Sequence, residues 1–448
     1  MKKNINMTEG KPLRLLFFFA LPLMFGNIFQ QLYTVVDTAI VGQGVGMQAL
    51  AALGTVDWLN WVATGIALGY SQGFSVRIAQ NYGRKDIEAL KRCVAHSAKL
   101  SIIIAIIFTT LGELALPLFL YLLRVPADLI GMASLYTRIL WGGFIFSMFY
   151  NYSSSVLRAV GDSKTPLISM IIASFTNITL DILFVFYFKW GIAGAAIATI
   201  TAQCVSGIIC AFKIYKNPEL HFSMKDLNED TYIIGDLARI GTPVAAKNII
   251  IAVGGMTIQT VVNGFGMAFI AGFTASNKLF GLLEIAAVSY GYAVTTYVGQ
   301  NFGAKLLNRI KEGMKSAIFL SLITALVIGV IMFVFGREIT MIFIASDDPE
   351  SIVIAGNTAY LYLCTMAASL PALYLIYAYQ AALNGMGNTM VSLVSGFIEF
   401  FIRAILAFII GMIGFENGIF GAEVAAWFGS MFYLGYHYYK AIKKLNIN

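Results

Sequence analysis

The feature that most constrains this chain is a succession of apolar runs, each long enough to cross a bilayer. A spanning helix needs about 20 mostly apolar residues. Reading between charged or Gly/Pro-marked breaks gives about twelve such runs. They lie near 13–42, 48–76, 93–120, 132–157, 165–188, 191–215, 236–262, 268–300, 314–344, 356–383, 391–412 and 418–441. Several exceed what a bilayer requires, which points to tilt, kinks or loop residues merged into the run. The chain is 58% hydrophobic and 12% charged, and so few polar groups cannot cover the surface of a soluble protein. The expected fold class is an all-α integral membrane protein of about twelve transmembrane helices. LRLLFFFALPLMFGNIF runs straight on into QQLYTVVD without a small-residue cleavage site, so no cleavable signal peptide is expected.

An even number of spans puts both ends of the chain on one side, and the loops say which. Most of the 30 lysines and arginines fall at the two ends and in 82–92, 158–166, 213–240 and 303–315. The alternate connections hold Arg124, Arg138, Lys189 and Arg337. This bias predicts cytoplasmic termini in a multi-pass protein of the plasma or inner membrane. The net charge of +7 then reads as loops near anionic lipid. The partners expected are the bilayer and small organic substrates, with no nucleic acid, and the chain is expected to act as a monomer.

Several chemistries are disfavoured. Cys93, Cys204, Cys210 and Cys364 sit in or beside apolar segments without metal-like spacing. His96, His221 and His437 are scattered, with no HExxH or Cys/His cluster. No GxxxxGK[ST] is present for direct use of ATP. An enzyme is therefore not expected, nor is a cofactor. The 18 methionines and 14% aromatic residues are mostly packing, although together they suit a cleft for varied flat apolar molecules.

The chain also repeats itself. IAQNYGRKDIEALKR at 78–92 matches VGQNFGAKLLNRIKE at 298–312, and the same offset aligns Tyr70 with Tyr290. One residue more aligns Pro22 with Pro243 and Asn27 with Asn248, and GIAGAAIAT at 191–199 matches GIFGAEVAA at 418–426. KIYKNPELHFSMKDLNEDTYIIGD, 213–236, is the long polar connection at the midpoint. The expected organisation is an N-terminal six-helix lobe 1–215, a linker 216–235 and a C-terminal six-helix lobe 236–448. An even number of spans per repeat gives the two lobes one orientation around a central cleft, as alternating access requires. The glycines of QNYG and QNFG are placed to end helices.

Ionisable groups at membrane depth are functional candidates by default. Gln30, Tyr33 and Asp37 share one face of the first run, and Pro22 favours a kink earlier in it. In SFTNITLDILF, Asn177 and Asp181 stand at i and i+4. Thr199 lies in the sixth run. At 1.5 Å per residue, Asp37, Asp181 and Thr199 all sit about 7–12 Å below the outer boundary, with Tyr136 near the outer start of the fourth run. Two carboxylates in a low-dielectric pocket cannot both stay ionised cheaply, so a proton or a hard cation should enter. A structural hydrogen-bond network locking the three helices is the plainer alternative. In the second half, Lys247, Lys278, Glu284, Glu399 and Arg403 lie at membrane depth, of which Glu284 is the functional candidate and Glu399 with Arg403 an internal pair.

MTEGKPLRLLFFFALPLMFGNIFQQLYTVVDTAIVG, the QNYGR and QNFGA pair and LRAVGDSKTP at 157–166 resemble the multidrug and toxic compound extrusion (MATE) family. The resemblance covers essentially the whole chain. It implies antiport, with Na⁺ or H⁺ entering as an organic substrate leaves. Asp37, Asn177, Asp181 and Thr199 match the first-lobe cation site of the DinF-like branch, where Na⁺ is one possible occupant. Tyr136 resembles its helix-four tyrosine and Pro22 the proline at which helix one bends. VAAKNIIIAVGG lacks the second-lobe acid of the NorM-like branch. Asn151 resembles an asparagine tied to the same network, but it lies about 22 Å along a straight helix from Tyr136. It is therefore expected, like Gln30 and Tyr33, to line the substrate cavity. Flippases for lipid-linked saccharides, with a basic central cleft, are the alternative reading.

Overall fold

Without water in a bilayer core, backbone N–H and C=O groups must be satisfied inside the segment, and helices do this. The computed structural model describes residues 5–228, 230–341 and 349–445, and among them there is no strand. In chain order the helices are α1 (Pro12–Gly44), α2 (Met47–Arg84), α3 (Ile87–Leu122), α4 (Ile130–Gly142), α5 (Phe144–Ala159), α6 (Lys164–Asp181) and α7 (Gly191–Tyr215). There follow α8 (Thr231–Val262), α9 (Met267–Gly303), α10 (Leu307–Met341), α11 (Pro349–Gly385), α12 (Thr389–Ile413) and α13 (Ile419–Leu445). Nine of the described helices are long and apolar enough to cross a membrane. Exposed apolar side chains such as Ile106 and Leu114 on α3 and Leu326 and Val334 on α10 give faces suited to lipid.

Two apolar runs fold with more detail than their periodicity announced. The run 132–157 is two helices, α4 and α5, divided at Gly143 (φ −87°, ψ 6°). A β-carbon at Gly143 would overlap the Ile200 side chain of α7, so close packing there needs glycine. The run 165–188 is α6 followed by a π-helical turn, Ile182–Tyr187.

The turn glycines of the repeated motif stand at the helix ends, Gly83 last but one in α2 and Gly303 last in α9, while the left-handed residues just beyond are Lys85 (φ 61°) and Lys305 (φ 59°). The motif's polar pair binds backbone in the second half. Gln300 Oε1 accepts from the Met7 N–H at 3.0 Å, and Asn301 Nδ2 donates to the Met7 carbonyl at 3.0 Å.

By contacts the chain divides into two compact units, Met1–Asn6 with Leu21–Ala245, and Met7–Ala20 with Ala246–Asn448. In the first, α2 packs on α3, α4 and α5, and α7 packs on α4, α5 and α6. Gly69 and Gly73 let α2 approach the start of α8 so closely that a β-carbon at either would overlap backbone of Ala245 or Gly241. This is the small-xxx-small spacing of tightly packed membrane helices. Arg77 of α2 grips Asp236 of α8 with two bonds, 2.5 and 2.6 Å. In the second unit, α11 packs on α9, α10 and α13, and α12 packs on α13.

Candidate functional site

α1 and α6 run side by side in the first unit, with Ser174 Oγ 3.5 Å from the Phe29 carbonyl and Leu167 against Gly26. That packing carries Asp37 towards Asp181, and their carboxyl groups face one another within hydrogen-bonding reach. Asp37 is 8% exposed, and Asn177 and Asp181 are fully buried. Asn177, one turn before Asp181, points its amide Nδ2 at Thr199 Oγ1 of α7, 3.5 Å away. Tyr136 of α4, also buried, lies near Asp37, Asp181 and Tyr33, and Tyr33 lies beside Asp37. Four helices thus bring six oxygen-bearing side chains of the expected set together, Tyr33 and Asp37, Tyr136, Asn177 and Asp181, and Thr199.

The decisive chemistry is a shortage of donors. Asp37 Oδ1, Asn177 Oδ1 and both Asp181 carboxylate oxygens are buried and have no hydrogen-bond partner among the described residues. The facing carboxylates can bond to each other only once one of them carries a proton. Otherwise a cation must lie between them, because unpaired buried charge is costly. The oxygen-only donor set fits a proton or a hard monovalent cation such as Na⁺.

Other expected residues lie apart from this cluster or at its edge. Asn151 of α5 is buried and donates to the Ser147 carbonyl at 2.9 Å. Gln30 is half-buried on α1, and Pro22 stands inside that helix.

The family model MatE matches residues 22–183 and 243–409. The chain belongs to the MatE family. Members of this MatE (MATE) family are membrane transporters, not enzymes, and require no cofactor. The chain is 28% identical, over 98% of its length and 99% of the relative's, to the Bacillus subtilis protein named "Probable multidrug resistance protein YpnP". It is 25% identical to "Probable multidrug resistance protein NorM" of Thermotoga maritima, over 90% of this chain and 87% of that one. Its fold matches a MOP-superfamily transporter from Pyrococcus furiosus with a TM-score of 0.92, at 21% identity over 100% and 99% of the two chains.

The second unit of this MatE protein holds a separate polar cluster, and its wiring differs from the expected local pairing. Lys247 Nζ of α8 donates to Gln380 Oε1 of α11, and the Tyr377 hydroxyl of α11 donates to Glu284 Oε1 of α9. Arg403 of α12 donates to Glu423 of α13 at 2.6 Å, while Glu399 stands 4.0 Å off. The Lys278 side chain lies outside the described residues. Sequence reasoning missed Glu423, Tyr377 and Gln380. Glu423 carried a signal: within GIFGAEVAA it stands where the first repeat has Ala196.

Proposed function

We propose that the protein is a secondary active multidrug exporter of the DinF-like branch. It would move organic cationic or amphipathic compounds outward in exchange for H⁺ or Na⁺, by alternating access between two six-helix lobes, 1–215 and 236–448, joined by 216–235. The observation that carries the reading is the set of buried acceptor oxygens on Asp37, Asn177 and Asp181 beside Thr199, which lacks donors within the described protein. Such a pocket is neutralised by loading a cation, and an ion that prefers one conformation shifts the equilibrium between states. The relatives named for multidrug resistance support the substrate class.

In this reading a cation arriving from outside reaches Asp37 and Asp181 past Tyr136. Loading changes the packing of α1 around Pro22, and substrate leaves a cavity bordered by Gln30, Tyr33 and Asn151. Loop charge supports an inner-membrane location with cytoplasmic termini. The flippase alternative, which would use Lys247, Lys278 and Arg403, has less support, since Lys247 and Arg403 are engaged by Gln380 and Glu423.

The test is ethidium export from proteoliposomes with Na⁺ and pH gradients imposed separately, wild type beside Asp37→Asn. One gradient should drive export in wild type and fail to do so in the variant. Full export by a normally folded Asp37→Asn protein would falsify the site.

A further inference from the structure

Directly after Asp181 the helix changes its winding. Ile182–Tyr187 forms a π turn, with the Phe188 N–H donating to the Leu183 carbonyl five residues back at 2.9 Å. π winding is rare, appears mostly as single turns inside α-helices, and recurs at functional sites. This turn is clasped from two sides. A β-carbon at Gly44, the last residue of α1, would stand 2.5 Å from Val185 Cγ1 and 3.0 Å from Phe186 Cε1. A β-carbon at Gly194, in the first turn of α7, would stand 2.8 Å from Phe184 Cβ and 3.2 Å from its carbonyl carbon.

The far end of the turn is anchored as well. Phe184 and Trp190 stack with ring centroids 4.8 Å apart, and Phe188 lies 5.4 Å from Trp190. Lys189 and Gly191 then reverse the chain in left-handed conformations, φ 57° and 59°. Aromatic rings grouped like this hold a helix end at a membrane interface. The near end of the same turn carries Asp181.

We propose that the clasped π turn is the positioning element of the acidic pair, with Gly44 and Gly194 as positioning residues that set where Asp181 meets Asp37. α1 touches this part of the chain twice. It does so at the carboxylates and, about two helical turns later, at Val185 and Phe186. A shift of the end of α1 therefore reaches Asp181 through packing as well as through the ion. The inference rests on the ion-coupled reading above and adds the mechanical link that tunes that site.

The experiment measures ethidium export against concentration of the driving ion, in proteoliposomes, for wild type and glycine variants. Gly194→Ala pushes directly on the backbone of the turn. It should raise the half-activating ion concentration about tenfold, the scale on which supporting contacts tune an ion site, and leave the maximal rate close to wild type. Gly44→Ala should act in the same sense. Gly42→Ala is the control on the same helix end, since its β-carbon would meet only Leu50 Cδ2 at an ordinary 3.7 Å.

An unchanged half-activating concentration in Gly194→Ala overturns the proposal, and so does a fall in maximal rate alone. Deletion of Phe186 is the second variant, because one residue fewer allows α winding. The deletion protein should bind ethidium in detergent yet lose its response to the ion. A wild-type ion response in that protein also overturns the proposal. Ion-driven export that persists in Asp37→Asn removes the underlying reading instead, and that result is distinct from either glycine outcome.

Discussion

Arg403 on α12 reaches across to Glu423 on α13 at 2.6 Å and leaves Glu399, one turn away on its own helix, at 4.0 Å. Arg403 is 4% exposed and the Glu423 side chain 20%, so the pair ties two helices together with the guanidinium shut off from water and the carboxylate half-buried. Gly254 makes room for it, since a β-carbon there would stand 2.9 Å from Arg403 Nη1. Removing Glu423 leaves the buried guanidinium with Glu399 alone, at 4.0 Å, and breaking a buried pair costs up to about 3–5 kcal/mol. Glu423→Ala is therefore expected to lower the thermal midpoint of the solubilised protein sharply, and Glu399→Ala to do so less. Equal midpoints for the two variants would show that the interhelix bond is not the stronger contact.

If the proposed ion-coupled reading holds, the two facing carboxylates of the first unit share one task, and each should be indispensable to it. Asp181→Asn is expected to abolish ion-driven export as completely as Asp37→Asn. Thr199→Ala removes only the hydroxyl opposite the Asn177 amide. It should keep export and raise the ion concentration needed by roughly 10-fold. Proteoliposome flux at graded ion concentration checks all three. Wild-type behaviour of Asp181→Asn would reduce the facing pair to a single working acid.

Backbone contact between α2 and α8 leaves no space for a side chain at Gly69 or Gly73. Gly73→Leu is expected to cost at least about 2 kcal/mol through overpacking and to deplete the monodisperse peak in size-exclusion chromatography. Gly54→Leu, on the same helix with nothing within 4 Å of its β-carbon, should elute as wild type. Matching profiles for the two variants would argue against a backbone-tight seam.

Outside the membrane, Asp226 closes a short turn by accepting from the Ser223 N–H at 2.7 Å and the Ser223 hydroxyl at 2.9 Å. The Ser223 backbone bond is the largest cause holding its carboxyl below the usual aspartate value. A depressed value means the turn's stabilisation is present above the ordinary range, near pH 4, and fades as pH falls through the lower folded value. Amide exchange across 223–228, corrected for its intrinsic pH dependence, should show protection lost only on strong acidification. Asp226→Asn should flatten that dependence, and an unaltered profile would assign the protection elsewhere.

Much of this architecture could be read from the chain because its signals are local. A run of apolar residues must wind as helix in lipid whatever lies beside it, and Asp37, Asn177, Asp181 and Thr199 stand out because an apolar background makes each polar residue conspicuous. The wiring of the second unit was not readable in the same way. Glu399 and Arg403 sit at helical spacing and look self-sufficient, yet the guanidinium finds Glu423 nearer, because α13 packs on that face. Glu284 had no partner within its own helix, and its bond comes from Tyr377 on α11.

By itself, then, the sequence determined the fold class, and it marked the repeated motifs and the membrane-depth acids as candidates, since hydropathy, repetition and buried charge are properties of single segments. Tertiary structure decided which groups meet: Asp37 with Asp181, Arg77 with Asp236, Arg403 with Glu423. It also decided where helices depart from plain α winding, at Gly143 beneath Ile200 and at the π turn held between Gly44 and Gly194. Those outcomes depend on the shape of a neighbouring helix, and periodicity along one segment carries no information about its neighbour's surface.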